Sequence, residues 1–190
     1  MTRCDESVDR AVIKPVARAY RDAVPELARR GVSNFFGNLD DVRSFVNNVL
    51  QGKAEGSFSS FWRFAINTTI GLGGLFDPAT EMGLQRHRED FGQTLGYWGV
   101  QSGPYLVLPI LGPSTLRDTV ALPADMYSHP LYYVKGNSVR IPLTALRGLD
   151  IRTRLLGTEA LVDSMALDSY SFVRDAYLQK RRNDVYDGNP

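Results

Sequence analysis

The sequence predicts an all-α fold: a ring-like set of amphipathic helices joined by Gly/Pro-rich connections, with room for one small hairpin. Two observations carry the helices and one carries the hairpin. Adjacent stretches around residues 42–51 and 58–67 place apolar side chains at helical spacing, and further stretches toward both ends do the same. Strand-like composition is confined to "YLVLPIL", at residues 105–111, inside a region dense in Gly and Pro.

Taken in order, Val8, Val12, Val16 and Ala19 form a weak stripe that Pro15 interrupts, so the helix there is expected to kink or restart. Pro25 suits the first turn of a short helix running toward Gly31. Val42, Phe45, Val46, Val49 and Leu50 follow one helical face, opposite Arg43, Ser44, Asn47, Asn48 and Gln51. Asp40 or Asp41 would lie near the start of that helix, and Gly52 would stop it. In the next helix Phe58, Phe61, Trp62, Ala65 and Ile66 share an unusually aromatic arc, opposite Ser59, Arg63 and Asn67.

The middle of the chain, residues 71–113, changes character. "INTTIGLGGLFDPA" (66–79) places three glycines between an aromatic helix and an Asp-Pro stop, and reads as a re-entrant turn or as a helix C-cap. Gly92, Gly96, Gly99 and Gly103 would fall on one side of a helix over 90–103, admitting either a closely packed helix or a long flexible ligand. Residues 142–156 and 168–181 read as helices, with Asp168 as the cap of the second. No period repeats and no internal boundary is visible, so residues 1–182 read as a single helical domain and 183–190 as a polar tail.

Charge and motif content exclude several functions. The 22 basic and 21 acidic side chains leave a net charge of +1, which gives no field to recruit nucleic acid. Cys4, the single cysteine, excludes an intramolecular disulfide and a cysteine-based zinc cluster. The opening residues lack the apolar run of a signal peptide, and 105–111 is too short to span a bilayer.

Gly71, Gly73 and Gly74 miss a dinucleotide fingerprint, because Phe76 stands where a glycine is needed and a helix rather than a strand precedes them. His87 and His129 form no metal-binding pair, and Ser102 sits one position away from a nucleophile elbow. No enzyme, metal or other cofactor is expected. Arg117 and Asp118 read as a buried ion pair at a turn or as a contact for a polar head group.

The polar stripe Ser59, Arg63 and Asn67, with Asn47 beside it, has two readings. In water it would face solvent while the aromatic arcs pack inward. In lipid the arrangement inverts, with apolar arcs toward acyl chains and polar arcs toward the interior.

The blocks "KPVARAYRDAVP", "RRGVSNFFGNL", "VNNVLQGK", "RFAINTTIGLGGLFDPA", "EDFGQTLGYWGVQSGPYLVLPILGPSTLRD" and "RDAYLQKRR" resemble, in order from about residue 8 to 182, the MlaA (VacJ) family of outer-membrane phospholipid-transport lipoproteins. The resemblance implies a helical ring in the periplasmic leaflet of a Gram-negative outer membrane, with an amphipathic channel through it. It also implies a trimeric porin as partner, removal of misplaced phospholipid from the outer leaflet, and delivery to a periplasmic carrier.

On that picture Asn47, Arg63, Asn67, Thr68, Gly71, Gly73, Gly74, Gly92, Gly96, Gly99 and Gly103 would line the lipid passage, while Phe58, Phe61 and Trp62 would face the membrane. A mobile loop near the channel would draw on 119–141. The sequence begins inside the region where family members carry a signal peptide and a lipid-modified cysteine, which is expected either of a truncated sequence or of a member that has lost its acyl anchor; Cys4 lacks a preceding lipobox, so lipid attachment is not carried over to it. An envelope scaffold without a passage, or a lipid-modifying hydrolase, is the alternative function.

Overall fold

The computed structural model describes residues 9–108, 111–165 and 169–188; Cys4, Val8 and the expected cap Asp168 lie outside them. A π-helical turn, Asp9–Ile13, leads into α1, Lys14–Ala23. Pro15 stands in the first turn of α1, where its missing N–H costs no helical hydrogen bond, and this is the expected restart.

Helix α2, Glu26–Leu50, corrects the sequence reading. The short helix ending near Gly31 and the helix starting near Asp40 are one continuous element. A single glycine weakens a helix by roughly 1 kcal/mol without breaking it. Asp40 and Asp41 stand in mid-helix and serve as ion-pair partners instead of caps. Gly52, with φ +71°, turns the chain into α3, Ala54–Thr69, which folds back against α2.

A short helix α4, Pro78–Glu81, follows, then α5, Phe91–Tyr97. The expected helix over 90–103 therefore ends early. Asp90 caps α5 by accepting from the Gln93 amide, but Gly99 and Gly103 take left-handed φ of +92° and +68°, which no right-handed helix accommodates. The strand-like stretch forms the one small hairpin: β1, Tyr105–Leu108, pairs antiparallel with β2, Gly112–Thr115, matching Tyr105 to Thr115 and Leu108 to Gly112.

Helix α6, Leu116–Ser128, is capped by Thr115, and a 3-10 turn, Pro130–Tyr133, ends this part of the chain. Helix α7, Asn137–Met165, is longer than the sequence suggested at both ends, and α8, Ser169–Val185, runs into the expected tail. The tail reading is corrected for those residues: Val185 is buried against Gly96, and Asp187 pairs with Lys53 at 2.6 Å.

The interior is polar. Among the described residues, six apolar side chains are buried against twenty polar or charged ones, so apolar burial cannot be what organises the fold. Phe58, Phe61 and Trp62 are 63%, 48% and 42% exposed, whereas Arg63 and Asn67 on the same helix are each 1% exposed. The α3 amphipathicity is therefore inverted relative to a water-soluble helix.

Candidate functional site

The polar interior is built around Asp77. It stands at the N-cap of α4, where its carboxylate accepts from the Thr80 amide and hydroxyl at 3.2 and 2.7 Å. From α3, Arg63 Nη2 donates to both carboxylate oxygens at 2.8 Å, and Asn67 Nδ2 donates to Oδ1 at 2.9 Å. Arg63 Nη1 also donates to Thr80 Oγ1 and to the Leu84 carbonyl. Asn67 Oδ1 accepts from the Ala79 amide, so its amide group is used on both sides.

Burial alone would raise the Asp77 carboxyl, but the hydrogen bonds from Thr80, Asn67 and Arg63 overcome it and hold it at about 2. Asp41 behaves oppositely. Burial pushes it up to about 6 although the guanidinium groups of Arg86 and Arg63 lie at 3.3 and 3.4 Å, because Asp77 and Asp40 add negative charge nearby.

This cage fixes the glycine turn. Gly73 and Gly74 donate back to the carbonyls of Thr68 and Asn67, ending α3, while Leu72, Gly73 and Gly74 all have positive φ. A Cβ on Gly71 would lie 2.5 Å from the carbonyl oxygens of both Asn67 and Phe76, so the chain re-enters across its own helix end. The turn is thus both a C-cap and a re-entrant fold. It leaves Ile70, Leu72, Leu75 and Phe76 exposed, and Asn38 of α2 donates to Thr68 Oγ1 beside it.

Between the end of α2 and α5 the polar contacts continue. Thr94 donates to Asn47 Oδ1 at 2.8 Å, and Gln51 donates to Glu89 and Thr94. Asn47, Arg63 and Asn67, expected along a passage, are closed on these protein partners.

A second cluster joins α5, α6 and α8. Arg181 donates to both carboxylates of Asp90 and Asp118 at 2.7–3.0 Å, Tyr177 donates to Asp118 Oδ2 at 2.8 Å, and Arg117 donates to Asp118 Oδ1. Burial would raise Asp118, but Arg181 and Tyr177 hold it at about 2. Arg117 and Asp118 form a buried ion pair at the start of α6.

The glycine spacing has its explanation here. A Cβ on Gly92 would meet Asp118 Oδ1 at 2.5 Å, and one on Gly96 would meet Arg117 Nη1 at 2.5 Å. Beside this cluster opens a cleft of about 860 Å³. Gly96, Gly99 and Gly103 line one side of it, with Ser102 and Val100, and α8 supplies Leu178, Gln179 and Arg182 on the other. Of the expected passage residues, these three glycines are brought together around open space.

Sequence reasoning missed Asp77, Asp41, Arg86 and Arg181. A signal existed for Asp77, since Asp-Pro-x-Thr is an N-cap followed by a proline in the first turn. None existed for Arg181, whose partners lie 63 and 91 residues away. His129, for its part, accepts from the Leu131 amide and pairs with Asp40, which Arg147 also holds, so it belongs to the junction of α2 with α7.

Comparison with known proteins agrees with this arrangement. The family model described as MlaA lipoprotein matches residues 1–184. The intermembrane phospholipid transport system lipoprotein MlaA of Escherichia coli K12 is 40% identical over 178 residues, covering 91% of this chain and 69% of that protein. An uncharacterized protein of Rickettsia bellii is 36% identical over 94% of this chain and 70% of its own length. A solved structure from work on the structural basis for maintenance of bacterial outer membrane lipid asymmetry superposes with a TM-score of 0.82 at 36% identity, covering 96% of this chain and 95% of its own. With a polar interior, an aromatic exterior and a match over nearly its whole length, this chain belongs to the MlaA lipoprotein family.

Proposed function

We propose that this protein is the outer-membrane component of an intermembrane phospholipid transport system, a passive amphipathic passage that takes mislocalised phospholipid from the outer leaflet and hands it to a periplasmic carrier, so maintaining lipid asymmetry. Its relatives in Escherichia coli and Haemophilus influenzae bear the name of that system, which supports extending the role to this chain. The inverted amphipathicity of α3 carries the reading. A helix that buries Ser59, Arg63 and Asn67 and presents Phe58, Phe61 and Trp62 is matched to an apolar solvent.

The seat is the periplasmic leaflet of a Gram-negative outer membrane, beside a trimeric porin. No described helix is long and apolar enough to cross a bilayer. The exposed Phe58, Phe61 and Trp62 support a seat with this aromatic arc among acyl chains. The cleft beside α5 and α8 is the lipid passage. Its lining suits an amphiphile: Gln179, Ser102 and Arg182 for a head group, Leu178 and Val100 for the chains. Asn47, bonded to Thr94 of α5, serves it as part of the frame behind the wall, while Arg63, Asn67 and the turn at Gly71, Gly73 and Gly74 fix α3 against α4. No bond is broken, and net direction comes from lipid gradients and partners.

Mass spectrometry of lipids extracted from protein purified in mild detergent tests the reading, with Gln179→Trp and Ser102→Trp prepared in parallel. Stoichiometric phospholipid that falls in both variants is the expected result. A wild-type protein that carries no phospholipid overturns the reading, and lipid that is unaffected by either substitution moves the passage away from this cleft.

A further inference from the structure

His129 stands where α6, α2 and α7 meet, and neither the Asp77 cage nor the cleft beside α8 uses it. It follows α6 and opens the 3-10 turn Pro130–Tyr133 as its N-cap, with a ring that is 6% exposed. Both ring nitrogens have partners. Nδ1 faces the Leu131 amide at 3.2 Å, and Nε2 faces Asp40 Oδ1 on α2 at 3.2 Å.

These partners fix the protons. A backbone N–H can only donate, so Nδ1 presents its lone pair and the neutral ring carries its hydrogen on Nε2, donating it to Asp40. A ring protonated on both nitrogens has no acceptor left. Its second N–H would point at the N–H of Leu131, and one of the two contacts has to break.

The charges around the ring decide which. Burial would raise the Asp40 carboxyl, but His129, Arg147 and Arg43 hold it below the usual carboxylate range, so it stays ionised. The bond from a cationic ring to this carboxylate then carries charge on both sides and tightens. Arg147 and Arg43 reach the same oxygen at 2.8 and 3.7 Å from α7 and α2, and Arg88 adds a cation near Asp40. They make the ring harder to charge and leave its Leu131 side as it is. Beside the turn, Arg140 and the phenols of Tyr127 and Tyr132 keep their charge between about pH 5 and about pH 8.

We propose that His129 is an acid-released latch: when the ring takes a second proton at Nδ1, it stays with Asp40 and lets go of the Leu131 amide, freeing the turn that joins α6 to α7. Proton and amide compete for one lone pair, so acid favours the open turn and the closed turn resists protonation. Leu131 is the buried side chain of the turn, whereas Tyr132 and Tyr133 are 39% and 67% exposed. Release adds Leu131 to the exposed rings of Tyr127, Tyr132 and Tyr133, which already touch one another, so the apolar surface here grows in acid.

Hydrogen exchange in a fixed detergent, followed from about pH 8 to about pH 5, tests the latch when each rate is divided by the intrinsic rate at that pH. The Leu131 amide is expected to lose about tenfold in protection on acidification, the worth of one hydrogen bond, while the amides of α3 keep theirs. Nitrogen NMR of the imidazole should find the Nε2–H tautomer at the alkaline end, with the ring titrating where the protection is lost. His129→Asn offers an oxygen to the amide and has no proton to gain, so its protection should stay constant across the range. Asp41 and Asp125, both pushed up to about 6, still titrate in that variant, which separates them from the ring.

Wild-type protection that does not change with pH overturns the proposal, and so does an Nδ1–H tautomer at the alkaline end. Loss that persists in His129→Asn assigns the effect to Asp41 or Asp125 and overturns it as well. Should the variant not fold, the two wild-type midpoints decide: coincidence supports the latch, and separation overturns it.

Discussion

Arg63 and Asp77 meet across 14 residues of chain in a two-pronged ion pair, with Nη2 at 2.8 Å from each carboxylate oxygen and the guanidinium 1% exposed. The pair ties the long helix α3 to the cap of α4, and with Asn67 it holds the glycine turn between them. Around it lie Asp41 and Arg86, so four charges are satisfied by each other where most proteins place leucines.

Arg63→Leu is therefore expected to destabilise the protein by about 3–5 kcal/mol, because it strands carboxylates in a closed site. The double variant Arg63→Leu/Asp77→Leu should recover part of that loss. Urea unfolding in a fixed detergent measures both, and a single variant within 0.5 kcal/mol of wild type, the roughly neutral range for surface sites, contradicts the cage.

The acid limb of stability should follow Asp77 and Asp118. Both are held at about 2 in the fold, below the roughly 3.9 of an unfolded aspartate. A lowered carboxyl contributes stability that is present above the unfolded value and is lost as pH falls toward the folded one. Melting temperature should drop between about pH 4 and pH 2, and Asp77→Asn should flatten that limb while lowering the plateau.

Asp125 gives a dependence of opposite sign. Burial raises it to about 6 and Asp90 adds to this, against the Phe91 amide, whose hydrogen bond it accepts at 2.9 Å. A carboxyl raised in the fold costs stability as pH climbs from about 4 through 6. Asp125→Asn keeps the acceptor for Phe91 and should remove part of that decline. A melting curve with an unaltered slope in this window would discount the burial of the group.

Glycine positions should separate by what lies over them. Gly92→Ala and Gly96→Ala drive a methyl into Asp118, Arg181 and Arg117, an overpacking that costs about 1–3 kcal/mol. Gly148→Ala in α7 meets nothing within 4 Å and should stabilise by about 0.5–1 kcal/mol. Thermal melts of the three variants decide, and equal effects would remove close approach as the reason for the spacing.

The exterior of α3 can be tested without touching the interior. Phe58→Asp and Phe61→Asp are expected to weaken association with phospholipid vesicles, read by flotation. Quenching of Trp62 by brominated acyl chains should be strong in the wild type. Unchanged flotation in the double variant would remove this face from the membrane contact.

Much of the architecture was legible from helical spacing, because α3 and the later half of α2 carry strong periodicity and the hairpin carries the strand-like residues. The union of two expected helices into α2 was not. Gly31 and Asp40 look like punctuation in sequence, and only the partners of Asp40, on α7 and at His129, reveal why a charged residue stands in mid-helix. For the site, the α3 polar stripe was recognisable as unusual, but its direction depended on the solvent outside. The α8 contribution was invisible, since Arg181 reads as one basic residue among several until Asp90 and Asp118 are brought beneath it.

The polar interior also sets how this protein should respond to temperature. The large heat capacity of unfolding in ordinary proteins comes from apolar surface newly hydrated, while exposed polar surface lowers it. Here the side chains released from the interior are mainly Asn, Ser, Asp and Thr, and Phe58, Phe61 and Trp62 begin outside. Calorimetry in detergent should therefore find an unusually small heat-capacity step. The stability curve would be broad and flat, with cold denaturation pushed far below the range in which water stays liquid.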